Sequence, residues 1–172
     1  MGKVLTYFLS ALSAAAVLTG CNTTGCTDNQ NSLPLAGFYS IGSGDAISVD
    51  SIAVWGVGAP GDSLLLSPSA TASQLYLPLR STASETSFCF AYRMAALDFE
   101  ELQDTITLRY TSRPWFISED CGAGYRYTIT RLTHTTHLID SVGLIDSTVT
   151  NIDREIMQIY FRTSDAGEGD GE

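Results

Sequence analysis

In Thr105-Ile106-Thr107-Leu108-Arg109-Tyr110 every second residue is apolar and the residues between are polar, and a period of two puts side chains on alternate faces of an extended strand. Ile106, Leu108 and Tyr110 are expected to face a core, and Thr105, Thr107 and Arg109 to face water. The same constraint recurs along the chain: Leu75, Leu77 and Leu79 share a face, as do Phe88, Phe90 and Tyr92, and Met157, Ile159 and Phe161. Strands are expected at 35–41, 51–57, 74–79, 86–93, 105–111, 115–118, 125–132, 137–145 and 155–162. Short β-branched and aromatic runs, punctuated at intervals by Gly, Pro, Asp and Ser, predict an all-β domain. The expected architecture is a single antiparallel β-sandwich, immunoglobulin-like or of a similar Greek-key type. Residues 51–57 are apolar on both faces, so this strand is either covered on each side or displays Trp55 at an interface. The one helical candidate, 94–102, is short and acidic and predicts a turn or two within a connection.

Ahead of this domain stand Lys3, an apolar run over 4–17 and Leu18-Thr19-Gly20-Cys21. They supply the positive n-region, the apolar h-region and the small residues before a cut that define a secretory signal peptide, here ending in the processing box of a bacterial lipoprotein. Residues 1–20 are expected to be that leader. A transmembrane helix would need about 20 apolar residues, and Thr6, Ser10 and Ser13 interrupt this run. Cys21 then becomes the first residue of the mature chain, with a diacylglyceryl group on its thiol and a palmitate-type acyl chain on its amino group. Two or three acyl chains hold a protein stably where one binds only marginally. Residues 21–34, polar and Asn-rich, form the lipidated N-terminus and tether. Residues 35–163 make the sandwich domain, and the Gly-rich acidic end 164–172 makes a disordered tail.

Charge narrows the partners. The chain has 19 acidic against 9 basic residues, a net charge of −10, and Lys3, its only lysine, leaves with the leader. Nucleic acid and anionic headgroups select Lys/Arg patches, so neither is expected as a partner. Membrane contact is expected through the N-terminal acyl chains.

Besides Cys21 there are three cysteines. Cys89 falls on the strand face opposite Phe88, Phe90 and Tyr92. Cys26 lies in the polar N-terminal segment and Cys121 in the turn Glu119-Asp120-Cys121-Gly122, so Cys26–Cys121 is the favoured disulfide in a compartment where disulfides persist. Three unpaired thiols is the alternative, because connectivity does not follow from sequence.

No motif carries legible chemistry. His134 and His137 stand with Asp140 and Ser141, but three residues along one strand put His137 and Asp140 on opposite faces, and no Gly-x-Ser-x-Gly elbow presents a serine. The two histidines do not have the spacing of a recognised zinc site. The acidic stretch 98–104 lacks the EF-hand frame and reads as a solvated charged loop, and a two-carboxylate hydrolase needs a separation that sequence does not measure. No catalytic residue, metal ligand or cofactor is expected. The candidates for a binding surface are aromatic: Trp55, Trp115, Phe116, Tyr125 and Tyr127, near Gly- or Pro-containing turns where rings can present a flat face.

Six stretches carry a family resemblance: 50–58 (Asp50-Ser51-Ile52-Ala53-Val54-Trp55-Gly56-Val57-Gly58), 73–79, 104–110, Phe116-Ile117-Ser118 with Cys121-Gly122, His137-Leu138-Ile139-Asp140-Ser141, and Ile159-Tyr160-Phe161. The chain resembles small lipoproteins of the Bacteroidales type whose domain has no known function. That resemblance implies a partner such as an outer-membrane β-barrel-like protein. It also implies Cys-Gly-Cys at the turn where this chain has Cys121-Gly122-Ala123, so a further thiol there is missing. In such bacteria acidic residues after the lipidated cysteine mark export to the cell surface, and Asn22-Thr23-Thr24-Gly25 in their place point to the periplasmic face of the outer membrane, with the surface-facing orientation as the alternative.

The expected function is that of a lipid-anchored, non-enzymatic envelope lipoprotein that binds another outer-membrane or periplasmic protein. The alternative is a carbohydrate-binding module or an envelope hydrolase, which would gather His137, Asp140 and acids from other strands around one pocket.

Overall fold

The structure is a computed structural model that describes residues 26, 29–60 and 63–163. The expected leader, the lipidation site Cys21 and the acidic tail lie outside the described residues. Among the described residues ten strands form: β1 (Leu35–Ser40), β2 (Ile52–Gly56), β3 (Leu64–Leu66), β4 (Gln74–Tyr76), β5 (Glu85–Tyr92), β6 (Asp104–Ser118), β7 (Gly122–His134), β8 (Ile139–Leu144), β9 (Thr148–Val149) and β10 (Glu155–Phe161). They build a four-stranded sheet in the order β4-β1-β10-β8 and a six-stranded sheet in the order β3-β2-β5-β6-β7-β9. The inner faces meet in one apolar core, so the all-β sandwich is borne out. One pair departs from the expected antiparallel pattern: β1 runs parallel to β10. A parallel pair needs a long crossover, and here the rest of the domain supplies it.

The alternation read from sequence decides which side chains are dry. Ile106, Leu108 and Tyr110 are buried, as are Phe88, Phe90 and Tyr92 and Met157, Ile159 and Phe161. On β2, Ile52 and Val54 face the core, and Ala53 is buried on the other side, which is the covered-strand reading of 51–57. Trp55 is half-buried on that outer face, beside Cys89. The Cys89 thiol is buried and donates to Gln103 Oε1 at 3.4 Å. Burial pushes its pKa up, which makes it a packing residue rather than a reactive one.

Several boundaries differ from those expected, each for a local reason. The strands expected at 105–111 and 115–118 are one strand, β6, because Pro114 breaks no ladder. Tyr110 donates its N–H to Ser84, away from β7, and Pro114 has the same parity on a regular register, so its missing donor faces an edge that β5 has already left. The strand expected from residue 137 starts at Ile139, since the backbone of 137–139 is bound to a carboxylate instead. β3 and β9, three and two residues long, are too short to show a period. In the helical candidate only Glu100–Leu102 forms a 3₁₀ turn, as expected where a short segment cannot meet the cost of nucleation.

Candidate functional site

β6 is 15 residues long, so at the usual rise its ends lie about 45 Å apart. The chemistry-bearing residues divide between those ends.

At the first end sits Asp104, 0% exposed. Its parity is that of Ile106, Leu108 and Tyr110, so the expectation of a solvated loop through 98–104 is corrected: this acid occupies a core-facing position. Its oxygens accept from the Thr135 hydroxyl at 2.8 Å, the backbone N–H groups of His137, Leu138 and Ile139 at 2.9, 2.9 and 2.8 Å, and the Tyr92 hydroxyl at 2.9 Å. Burial pushes its pKa up, but the hydrogen bonds from His137, Ile139, Thr135 and Leu138 outweigh it and hold the carboxyl below the usual range. Burial and the neighbouring charge push the Tyr92 hydroxyl far up. Every lone pair of Asp104 is thus engaged in fixing the β7–β8 connection, and none is left to move a proton for a substrate. His137 approaches the carboxylate to 3.3 Å but donates Nδ1–H to the Gln103 carbonyl at 3.0 Å, and His134 donates its own to Thr135 at 2.9 Å. Asp140 accepts from Arg162 at 3.1 Å. Among the described residues no three His, Cys, Asp or Glu side chains could hold a metal ion.

Next to this network the sandwich is open. A cleft of about 340 Å³ lies between the sheets, with Ile47, Val49, Ile52, Met94, Leu138 and Phe161 among its lining residues. Ser51 forms part of its wall with φ at 56°, a left-handed conformation uncommon outside glycine, and its carbonyl accepts from Arg93 N–H at 2.7 Å. Met94 and Phe99, on the adjoining connection, are about half exposed. Both arginines nearby are already paired, Arg93 with Asp98 and Arg162 with Asp140, whereas Asp50 on the wall is in no ion pair among the described residues. The mouth is apolar with an acidic bias. No sequence signal marked these residues, because the cleft brings the run 47–52 together with Tyr92, Met94, Leu138 and the end of β10, which are far apart in the chain.

At the other end the β6–β7 hairpin runs past the sandwich. Beyond Tyr110 and Tyr127, which touch edge to face at 5.5 Å, the pairing continues through Pro114 opposite Tyr125 and Phe116 opposite Ala123. Phe116 is 63% exposed, Trp115 46% and Tyr125 43%. Pro114, Phe116 and Tyr125 continue the core-side face, and Trp115 lies on the other, with the Arg126 guanidinium 3.4 Å from its ring centroid. The turn is tied down by the Cys26–Cys121 disulfide, with Cα atoms 4.7 Å apart, so the favoured pairing is the one formed. From there the N-terminal segment returns beside the hairpin. A Cβ added to Gly124 would come within 3.1 Å of the Gln30 carbonyl, and Asn151 Nδ2 donates to Asn29 O at 3.0 Å.

Of the five aromatic candidates, Trp115, Phe116 and Tyr125 therefore gather at one place. Tyr127 is only 7% exposed and belongs to the core, because its level of the hairpin is still covered by the segment after β4, whose Leu79 carbonyl accepts from its hydroxyl at 3.4 Å. Trp55 stands apart on β2.

Residues 51–161 match the model of a family of unknown function (DUF6452). No curated protein and no solved structure matches the chain. The matched span begins at Ser51 and covers the Asp104 network, the whole hairpin and the part of the cleft wall made by Ser51, Ile52, Tyr92, Met94, Leu138 and Phe161, but not Ile47, Val49 or Asp50.

Proposed function

We propose that this chain, which belongs to the family of unknown function DUF6452, is a lipid-anchored, non-enzymatic module of a bacterial envelope, carried on acylated Cys21 at the periplasmic face of an outer membrane, whose open end binds another envelope protein. The family brings no activity with it, so the reading rests on geometry. The observation that carries it is polarity. The disulfide holds Cys26 at the hairpin tip, five residues after Cys21, while the apolar cleft opens at the far end of β6. An anchor at one end and a receptive surface at the other is the layout of a module that presents itself to a partner across a gap.

The cleft also sets the partner's chemistry. An apolar mouth with Asp50 on its wall and its arginines already paired suits an apolar side chain carried on a basic surface, and a polar rim around an apolar centre is usual for protein interfaces. Hydrolysis draws no support from the Asp104–His137 neighbourhood, since the Asp104 carboxylate is saturated by five hydrogen bonds. A lone Tyr92 hydroxyl, held by Asp104, offers no stacking platform for a sugar.

The test is recovery of the intact protein from membranes with a photoreactive side chain at Met94 or, separately, at Thr107 on the flat outer face. One protein partner cross-linked from Met94 and absent from Thr107 supports the reading. Recovery of the chain alone from both, or with a stoichiometric metal ion, contradicts it.

A further inference from the structure

We infer that the tip of the β6–β7 hairpin is a membrane-contacting element, with Phe116, Trp115 and Tyr125 seated in the boundary between headgroups and acyl chains beside the anchor. This rests on the reading of Cys21 as the acylated residue, and adds that the folded domain itself touches lipid.

Three observations combine. The first is reach: Cys21 is five residues from Cys26, so even a fully extended chain leaves it within about 17 Å of the disulfide. Cys121 closes that disulfide at the hairpin turn, so lipid held by Cys21 and the tip are confined to the same neighbourhood. The disulfide fixes Cys26 to the hairpin turn, so the spacing between anchor and fold is set by the five residues from Cys21 to Cys26.

The second is composition. Phe116, Trp115 and Tyr125 are the large exposed apolar residues of the projecting hairpin, and they occupy both of its faces. Rings on both faces suit insertion into a surrounding medium better than docking on one flat partner. Trp and Tyr favour the water-membrane interface, where the ring is half in and half out of the apolar phase. Arg126, lying over Trp115, is long enough to carry its charge back to the headgroups while its stem stays dry.

The third is charge. The chain as a whole is strongly acidic, at −10, yet over 111–127 Arg113 and Arg126 balance Glu119 and Asp120. The tip is the neutral end of an anionic molecule, and it can meet a zwitterionic surface without repulsion. Insertion is accordingly expected to be stronger in zwitterionic than in anionic bilayers.

The experiment uses the full-length chain, matured in bacterial membranes and reconstituted in phosphatidylcholine vesicles. Trp55→Phe leaves Trp115 as the one tryptophan, and Trp115→Phe leaves Trp55. Lipids brominated at shallow acyl positions are expected to reduce Trp115 emission by half or more and to leave Trp55 emission unchanged. Phe116→Asp, at a site already 63% exposed, should abolish most of the Trp115 quenching while the chain still floats with the vesicles. An acylated, vesicle-bound chain whose Trp115 is untouched by brominated lipid overturns the inference while leaving the anchor in place. A chain whose Cys21 carries no acyl group by intact mass, and which does not float, overturns the anchor and the inference together.

Discussion

Residues 104–110 and 111–118 belong to one strand and obey one alternation, yet they end in opposite surroundings. In the first stretch Asp104, Ile106, Leu108 and Tyr110 turn the same way and are buried. In the second, Pro114 and Phe116 keep that parity and are exposed. A period of two selects a face, and only a second layer over that face makes it dry. The four-stranded sheet supplies that layer for the first stretch and stops short of the second. What holds the outer half is its ladder with β7, a covalent tie to the N-terminal segment and the stacking of Arg126 on Trp115, so one half of the strand serves the core and the other is available for contact.

The comparison is broken most severely at its buried end. Asp104→Ala leaves the N–H groups of 137–139 and the Tyr92 hydroxyl without their acceptor, and since each unsatisfied buried donor costs about 1–3 kcal/mol, a loss of about 4 kcal/mol or more is expected in urea unfolding. That is a large share of a typical domain's stability. The same carboxyl gives acid sensitivity. Its folded pKa lies below the ordinary value, so its stabilising contribution is complete above the unfolded pKa of about 3.9 and fades as pH falls through the lower folded value. Near-ultraviolet circular dichroism should therefore be flat at neutral pH and collapse on the acid side, and a titration that destabilised the fold between neutral and pH 5 would locate the sensitive group elsewhere.

A matched pair on β6 sharpens the contrast. Leu108→Ala should cost about 2–5 kcal/mol as a cavity in the core, and Phe116→Ala, on the same face, should stay within about 0.5 kcal/mol in the absence of lipid. Equal losses would mean that the outer half is covered after all. Next comes the tie itself. Cys121→Ser opens a link between residues 95 apart, a change that typically costs about 2–4 kcal/mol. Amides of 111–126 should then exchange faster with solvent while those of 104–110 keep their protection. The smallest effect belongs to the Arg109–Glu85 pair on the exposed outer face, where Arg109→Ala should change stability by at most about 1 kcal/mol, less at high salt.

How far the sequence was legible follows the same line. The core strands were readable because Ile106, Leu108, Phe88, Phe90, Met157 and Ile159 keep a strict period, and the disulfide because Cys26 and Cys121 lie in polar segments while Cys89 lies on a strand. Asp104 reads as loop from the acidity of 98–104, although its parity with Ile106 places it inward; an acid at an inward position is the available signal for a buried network. The cleft was not readable at all, since Ile47, Met94 and Leu138 meet only through the tertiary arrangement of three connections. Tyr125 and Tyr127 look alike in sequence, two residues apart on one face, and differ only in where the covering segment after β4 ends.

The claim on which the account depends is that anchor and hairpin tip are one end of the molecule. It is tested most directly by proteolysis of the chain recovered from membranes without reduction, followed by mass measurement of the cysteine peptides. The account predicts a single cross-linked species in which the peptide beginning at acylated Cys21 is joined through Cys26 to the peptide containing Cys121. An unmodified Cys21, or Cys26 and Cys121 recovered as separate thiols, would contradict it.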